Sequence, residues 1–341
     1  LYPFTLLFVL LPLAAAYGWF AALHLFLAGA CSYAFLRASG CSRPAGIVGG
    51  LAYMFSGRLV TSILWPQMIG AIVYLPLLLL CIELIVRQAP RRWPVWPVLS
   101  GALVLGISIL AGHIEASVYV MAAMGLYALG RLVQMADRGL VRAVVCCIAF
   151  VALGLGLAAV QLLPFYEVGS QNFRSGAVTY QDVVGFALKL PQLFTFLMPD
   201  FYGNPIVHWA PYWGAKDYVE QAAYVGVLPL LLAGFTVFTL SGHSGRGQGK
   251  GSPRSLIAAL WLVIAVSLLL AFGTPLYRVV FFLLPGFNQI HSPFRWLIPC
   301  SAAMALLAGF GFDLVRERLG WAKLAFGAVA LAALAGLAVW P

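Results

Sequence analysis

Charge is what this chain has least of. Only 9% of its 341 residues are Asp, Glu, Lys or Arg, and just 10 are acidic. A soluble domain carries about 25% charged residues to cover its surface, so a soluble fold is excluded. Metal-ligating patterns are missing as well. There are five histidines, no HExxH and no CxxC spacing, so no zinc site is read from the sequence. No cofactor is predicted, and a divalent metal has no residue pattern behind it. Of the six cysteines, five fall inside apolar runs and Cys41 in a short basic gap, which implies no disulfide framework. No internal repeat is visible, so an inverted-repeat transporter gains no support. The net charge of +10 does not point to nucleic acid, because the basic residues form no face with stacking aromatics.

What is present is hydrocarbon. The chain is 63% hydrophobic, and runs of the ~20 apolar residues that cross a bilayer recur along it. The expected fold class is all-α, a polytopic transmembrane helical bundle of about ten spans. The runs are Tyr17 to Leu36, Pro44 to Ser56, Gln67 to Val86, Pro94 to Gly112, Glu115 to Gly130, Ala143 to Pro164, Ala222 to Leu240, Ser255 to Phe272, Phe294 to Val315 and Trp321 to Trp340. Leu1 to Ala16, broken by Pro3 and Pro12, reads as an interfacial or re-entrant piece. The chain therefore divides into N-terminal helices (1–164), a long loop (165–221) and C-terminal helices (222–341). It opens at Leu1 without Met or a basic leader and closes on an apolar run. It is read as a piece of a longer protein.

The gaps between runs set a topology. Alternate gaps hold fourteen of the 20 Lys and Arg residues on one side and six on the other. By the positive-inside rule the rich side is cytoplasmic. The long loop then faces outward, with Arg58, the His113–Glu115 turn and the connection from Gly273 to Pro293. That loop carries Glu167, Asp182, Asp200, Asp217 and Glu220, half of all acidic residues. Val183 to Leu197 within it, partly amphipathic and interrupted by Lys189 and Gln192, predicts an interfacial helix.

Several polar groups on that side are candidates for chemistry. His113 and Glu115 sit at or near membrane depth, where ionisable groups are costly unless paired or wet. They either line a cavity for a hydroxylated or phosphorylated ligand or form a solvated turn. Glu167, just past Pro164, either accepts from sugar hydroxyls or pairs with Arg174. The Arg174 guanidinium suits a phosphate, because its fork matches the oxygens. Tyr212, Trp213 and Tyr218 stand near Asp217 and Glu220. Aromatics beside carboxylates are what a sugar site uses, and also what a membrane interface shows. Glu220, just before an apolar run, is better placed than Asp217 to point into the bundle. In the stretch Asn288 to Trp296, His291 and Arg295 stand at a span's outer end. Arg295 either snorkels to headgroups or binds a lipid phosphate.

Taken in order, further stretches carry a resemblance: Leu1-Tyr2-Pro3, Ala52-Tyr53-Met54-Phe55-Ser56-Gly57, Tyr74-Leu75-Pro76, Ala111-Gly112-His113, Gln161-Leu162-Leu163-Pro164 with Glu167, Tyr224-Val225-Gly226-Val227-Leu228-Pro229-Leu230, Pro285-Gly286-Phe287 and Pro293-Phe294-Arg295. The chain resembles the YfhO-like family of bacterial membrane proteins, which belong with the GT-C type glycosyltransferases. The resemblance implies a multi-pass protein of the bacterial plasma membrane. It implies a polyprenyl-phosphate-linked sugar donor and an envelope glycan, lipid or protein acceptor on the extracytoplasmic face. It places the usual catalytic Asp or Glu in a first outer loop upstream of Leu1. The family's Gly-His-Pro-Gln-like turn reads Gly112-His113-Ile114-Glu115 here, which adds a carboxylate. Glu115 and Glu220 are the catalytic candidates within this chain. His113, Glu167, Arg174, His291 and Arg295 are the substrate-binding candidates. The alternative is a lipid or polysaccharide transporter, or a non-catalytic envelope assembly protein.

Overall fold

A computed structural model describes residues 2–135, 139–171, 179–208, 211–215, 217–241, 253–283, 287 and 292–339, with the backbone alone at 170, 241 and 319–339. Among the described residues all regular structure is helical, with no strand. Five helical segments are long and apolar enough to cross a membrane: Leu13–Ala38, Pro66–Gln88, Leu140–Leu157, Pro253–Ala271 and Pro293–Arg318.

Proline and glycine punctuate the order. Helix α1 (Leu6–Leu10) ends just before Pro12, and α2 (Leu13–Ala38) starts directly after it. The hydroxyls of Ser42 and Ser56 cap α3 (Arg43–Met54) and α4 (Gly57–Ser62) by accepting from Ala45 and Leu59 N–H groups, donors that a helix start otherwise leaves unused. Helices α5 (Pro66–Ile72) and α6 (Leu75–Gln88) each carry Pro in the first turn, where the missing N–H costs nothing. Helices α7 (Val95–Leu110) and α8 (Ile114–Leu132) reverse at Gly112, whose φ of 96° lies where a side chain would be strained. There follow α9 (Leu140–Leu157), α10 (Ala159–Ser170), α11 (Tyr180–Val184), α12 (Val227–Phe235), α13 (Val237–Ser241), α14 (Pro253–Ala271), α15 (Pro275–Leu283) and α16 (Leu297–Val339).

The segment α5–α6 forms the axis of the bundle. Its apolar window is 83% buried, against 22% for α9 at the periphery. Helices α2, α7, α8, α9 and α16 all touch α6. Small residues bring backbones together elsewhere, as membrane helices require when lipid is as apolar as leucine. A Cβ on Gly50 would stand 2.9 Å from the Gly29 carbonyl oxygen of α2, and one on Gly49 would stand 3.0 Å from the Ala305 oxygen of α16.

The two ends of the bundle differ. At one end Arg87 Nη1 donates to Ala38 O at 2.7 Å and Arg142 Nη1 to Ala89 O at 2.9 Å, tying the basic connections together. At the other end the long loop docks on the helices. Leu188 N–H donates to Ala271 O at 2.8 Å and Gly57 N–H to Tyr224 O at 2.7 Å.

Four expectations change. The helix expected over Val183 to Leu197 is two pieces, α11 and a 3-10 turn at Leu190–Phe196. Gly185 ends the first piece and Pro191 starts the second. The loop begins later than Phe165, because α10 continues through Pro164 to Ser170. The run from Ala222 becomes helical only at Val227, after Gly226 at φ 97°. The last two expected spans are one unbroken helix, α16. Arg316, Arg318 and Lys323 do not interrupt it, because no left-handed glycine and no proline lies between them and Val339.

Candidate functional site

The end of the bundle that receives the loop collects chemistry from four separate stretches. Glu115 is the second residue of α8, a helix start where a carboxylate is favoured by the backbone N–H groups. Glu220 lies in a turn organised by Asp217, whose Oδ1 accepts from Val219 N–H at 3.1 Å. Arg295 is in the 3-10 turn Pro293–Trp296 that leads into α16. Trp296, 3% exposed, fixes that turn by edge-on contact with Tyr119 at 5.2 Å and stacking on Phe287.

These elements bring three sequence-predicted residues together. Arg295 Nη1 donates to Glu115 Oε2, and Nη2 donates to Glu220 Oε1 at 3.1 Å. One guanidinium fork thus bridges two carboxylates, a geometry lysine cannot copy. The three side chains keep 19–23% exposure. Glu220 Oε2 accepts from Ser292 Oγ at 2.9 Å, and the Ser292 carbonyl accepts from Tyr119 OH at 2.8 Å. Two atoms of the cluster, Glu115 Oε1 and Arg295 Nε, are closed to solvent without a hydrogen-bond partner among the described residues.

His113 stands beside the cluster in a different role from the expected pair with Glu115. Its Nδ1 accepts from Ala116 N–H at 3.0 Å and so caps α8. Burial, then the positive charge of Arg295, hold its imidazole below the ordinary value of 6.5. A neutral ring with Nδ1 accepting carries its proton on Nε2.

Arg58 was not singled out from the sequence as a site residue. It is 1% exposed, and its Nη2 donates to the Glu220 carbonyl at 2.6 Å. Its Nε and Nη1 have no partner among the described residues. The available signal was an arginine right after Ser56-Gly57 in an otherwise apolar stretch, since such a charge is retained at membrane depth only for a partner or a task. Tyr119 and Ser292 were also missed, because nothing local marks a helix-interior Tyr or a loop Ser. Glu167 is exposed on α10, apart from the bonds described for Arg295. Arg174 and His291 lie outside the described residues, and so does the expected Glu167–Arg174 pair.

The opposite end holds a second ionic cluster with no open valence. Glu83, 1% exposed, accepts from Arg87 Nε at 2.6 Å, Arg131 Nε at 2.7 Å and Nη2 at 3.0 Å, and Tyr127 OH at 3.1 Å. Every lone pair is used, which marks a clamp of α6 to α8. Among the described residues no three His, Cys, Asp or Glu side chains gather as a metal site would need.

Fold and site together define a class: an all-helical protein with membrane-length apolar helices and an arginine–dicarboxylate cluster at one end. No family model, curated protein or solved structure matches the chain.

Proposed function

We propose that the chain is a membrane glycosyltransferase of GT-C-like architecture. It transfers a sugar from a polyprenyl-phosphate-linked donor to a cell-envelope acceptor on the extracytoplasmic face of a bacterial plasma membrane. The observation that carries this reading is the convergence of Glu115, Glu220 and Arg295 beside Arg58, where a cationic fork and an unengaged carboxylate oxygen meet. In this reading the five membrane-length segments among the described residues cross the bilayer, and the shorter apolar helices between them complete the bundle.

The chemistry assigns separate tasks. The partly exposed Glu115 carboxylate takes the proton of an acceptor hydroxyl as the hydroxyl oxygen bonds to the anomeric carbon of the sugar. The bond from that carbon to the phosphate oxygen breaks, and the electron pair leaves with the phosphate. The partly exposed Arg295 guanidinium offsets the charge that develops there, and buried Arg58 adds its positive charge from behind. Glu220, with one oxygen on Arg295 and the other on Ser292, positions the guanidinium.

The test uses the full-length protein in membranes with a radiolabelled polyprenyl-phosphate sugar. A positioned general base contributes about 10²–10⁴-fold, so Glu115→Gln should lose transfer by that factor and Glu220→Gln by less. Absence of transfer by the wild type with every donor offered rejects the enzyme and favours a transporter. Full transfer by Glu115→Gln rejects the assignment of the base.

A further inference from the structure

Beside the Glu220-Gln221 turn lies a cavity of about 220 Å³. Phe55 and the rings of Tyr202, Tyr212, Tyr218 and Tyr224 form much of its wall, and every described residue lining it is uncharged. Gln221 also lines it, at 2% exposure, and neither its Oε1 nor its Nε2 has a hydrogen-bond partner among the described residues. A buried primary amide left open at both ends costs free energy unless something enters to meet it.

The shape is held from several sides. Tyr218 OH donates to Asp200 Oδ1 at 2.6 Å. The Tyr212 and Tyr218 rings meet edge to face at 5.8 Å. Thr195 Oγ1 donates to the Gln221 carbonyl at 3.3 Å, and Gly57 N–H holds the Tyr224 carbonyl. Phe55 and Tyr224 also line an apolar groove of about 310 Å³ between α3 and α12, with Leu51, Ala52 and Pro229. The surface around that groove is hydrocarbon: Ile47, Leu51, Leu228 and Leu231 are each about half exposed or more.

We propose that cavity and groove form one site for a neutral glycolipid, with an uncharged sugar ring against the tyrosines and its hydrocarbon tail along α3 and α12. Ring faces of tyrosine stack on the C–H face of a sugar. The Gln221 amide needs a donor and an acceptor at once, which neighbouring hydroxyls supply. A quaternary ammonium headgroup, the usual occupant of an aromatic cage, offers neither. A phosphate finds no cation among the described residues of the lining. The cavity would hold about seven waters at ~30 Å³ each, which is room for a single pyranose ring. Continuity through Phe55 and Tyr224 assigns the groove to the tail of the same molecule. The proposal concerns binding and stands whether or not the Arg295 cluster transfers a sugar.

The test is equilibrium binding to the full chain extracted with a styrene–maleic acid copolymer, so that no sugar-headed detergent fills the cavity. The probe is radiolabelled octyl β-glucoside below its micellar concentration, with methyl β-glucoside, octyltrimethylammonium and octyl phosphate as competitors. Saturable binding is expected. Octyl β-glucoside should weaken at least tenfold in Gln221→Leu, and methyl β-glucoside should compete weakly. Leucine fills a similar volume and removes both open polar atoms, so the variant folds at least as well and a merely structural glutamine would leave binding untouched. Val48 also lines the groove, so Val48→Trp should weaken the octyl probe there and spare methyl β-glucoside. Unsaturable binding, unchanged affinity in Gln221→Leu, or competition by octyltrimethylammonium or octyl phosphate equal to that of the probe itself overturns the proposal.

Discussion

Arg295 and Glu220 stand 75 positions apart in the chain and meet through Nη2 and Oε1 at 3.1 Å. The same guanidinium reaches Glu115 through its other terminal nitrogen. It therefore lies between two carboxylates and lowers the repulsion between them, leaving the trio with one net negative charge. Arg295→Met should lower stability by about 2 kcal/mol, below the ~3–5 kcal/mol of a fully buried pair, because these groups retain some solvent. Arg295→Lys should recover part of the stability and little transfer, since an ammonium cannot bridge both acids. Adding Glu115→Gln to Arg295→Met should restore stability, read by tryptophan fluorescence during thermal unfolding. If the double variant is less stable than Arg295→Met, the two residues are not coupled in this way.

The Glu83 cluster should behave oppositely. Glu83→Gln leaves Arg131, 2% exposed, without its counter-charge, at a cost of about 3–5 kcal/mol. Transfer per folded molecule should be unchanged, because this clamp lies at the end of the bundle away from Arg295. Lost activity at full occupancy of the folded state would show that the two ends communicate.

Helix contact through glycine can be tested at two sites. A Cβ on Gly311 would sit 1.9 Å from the Leu232 carbonyl oxygen, so Gly311→Ala must push α12 off α16. Overpacking of this kind costs about 1–3 kcal/mol. Gly125, inside α8, has nothing within 4 Å of the same added atom. Gly125→Ala should therefore stabilise by up to ~1 kcal/mol through helix propensity alone. The two variants should move the unfolding temperature in opposite directions.

Acid should weaken the α7–α8 turn. His113 is held below its ordinary value of 6.5, burial first and Arg295 second, so the folded protein favours the neutral ring. The unfolded chain binds the extra proton first, and stability is therefore complete above about 6.5 and falls as pH drops below it. Protonation also removes the lone pair that caps α8 and adds a cation beside Arg295. His113→Asn keeps a capping oxygen without a titrating group. It should flatten the pH dependence of unfolding between neutral pH and the folded value. An unchanged slope in that variant would assign the dependence to another residue.

The membrane class could be read directly from the sequence, because low charge and long apolar runs suit almost no other solvent. The helices α2, α7, α8 and α14 match expected runs to within a few residues, since proline, glycine and serine mark their ends locally. The α16 region was harder to read. A basic patch resembles a loop by composition, yet a helix passes through charges freely when nothing forces the backbone to turn. The loop was also misjudged, because Val183 to Leu197 has the polarity of an interfacial helix while Gly185 and Pro191 break its backbone.

The site divides along the same line. The sequence by itself determined that polar groups scarce enough to count stand at span ends, and so nominated Glu115, Glu220 and Arg295. Each could be nominated alone, because an ionisable group in hydrocarbon carries a local cost that demands an explanation. Only the tertiary structure decided that the three form one cluster, that His113 is a cap, and that Arg58 and Gln221 have hydrogen-bonding groups unmet among the described residues. Those facts depend on which backbones pack against which, and pairing across 75 or 180 positions leaves no trace in local composition.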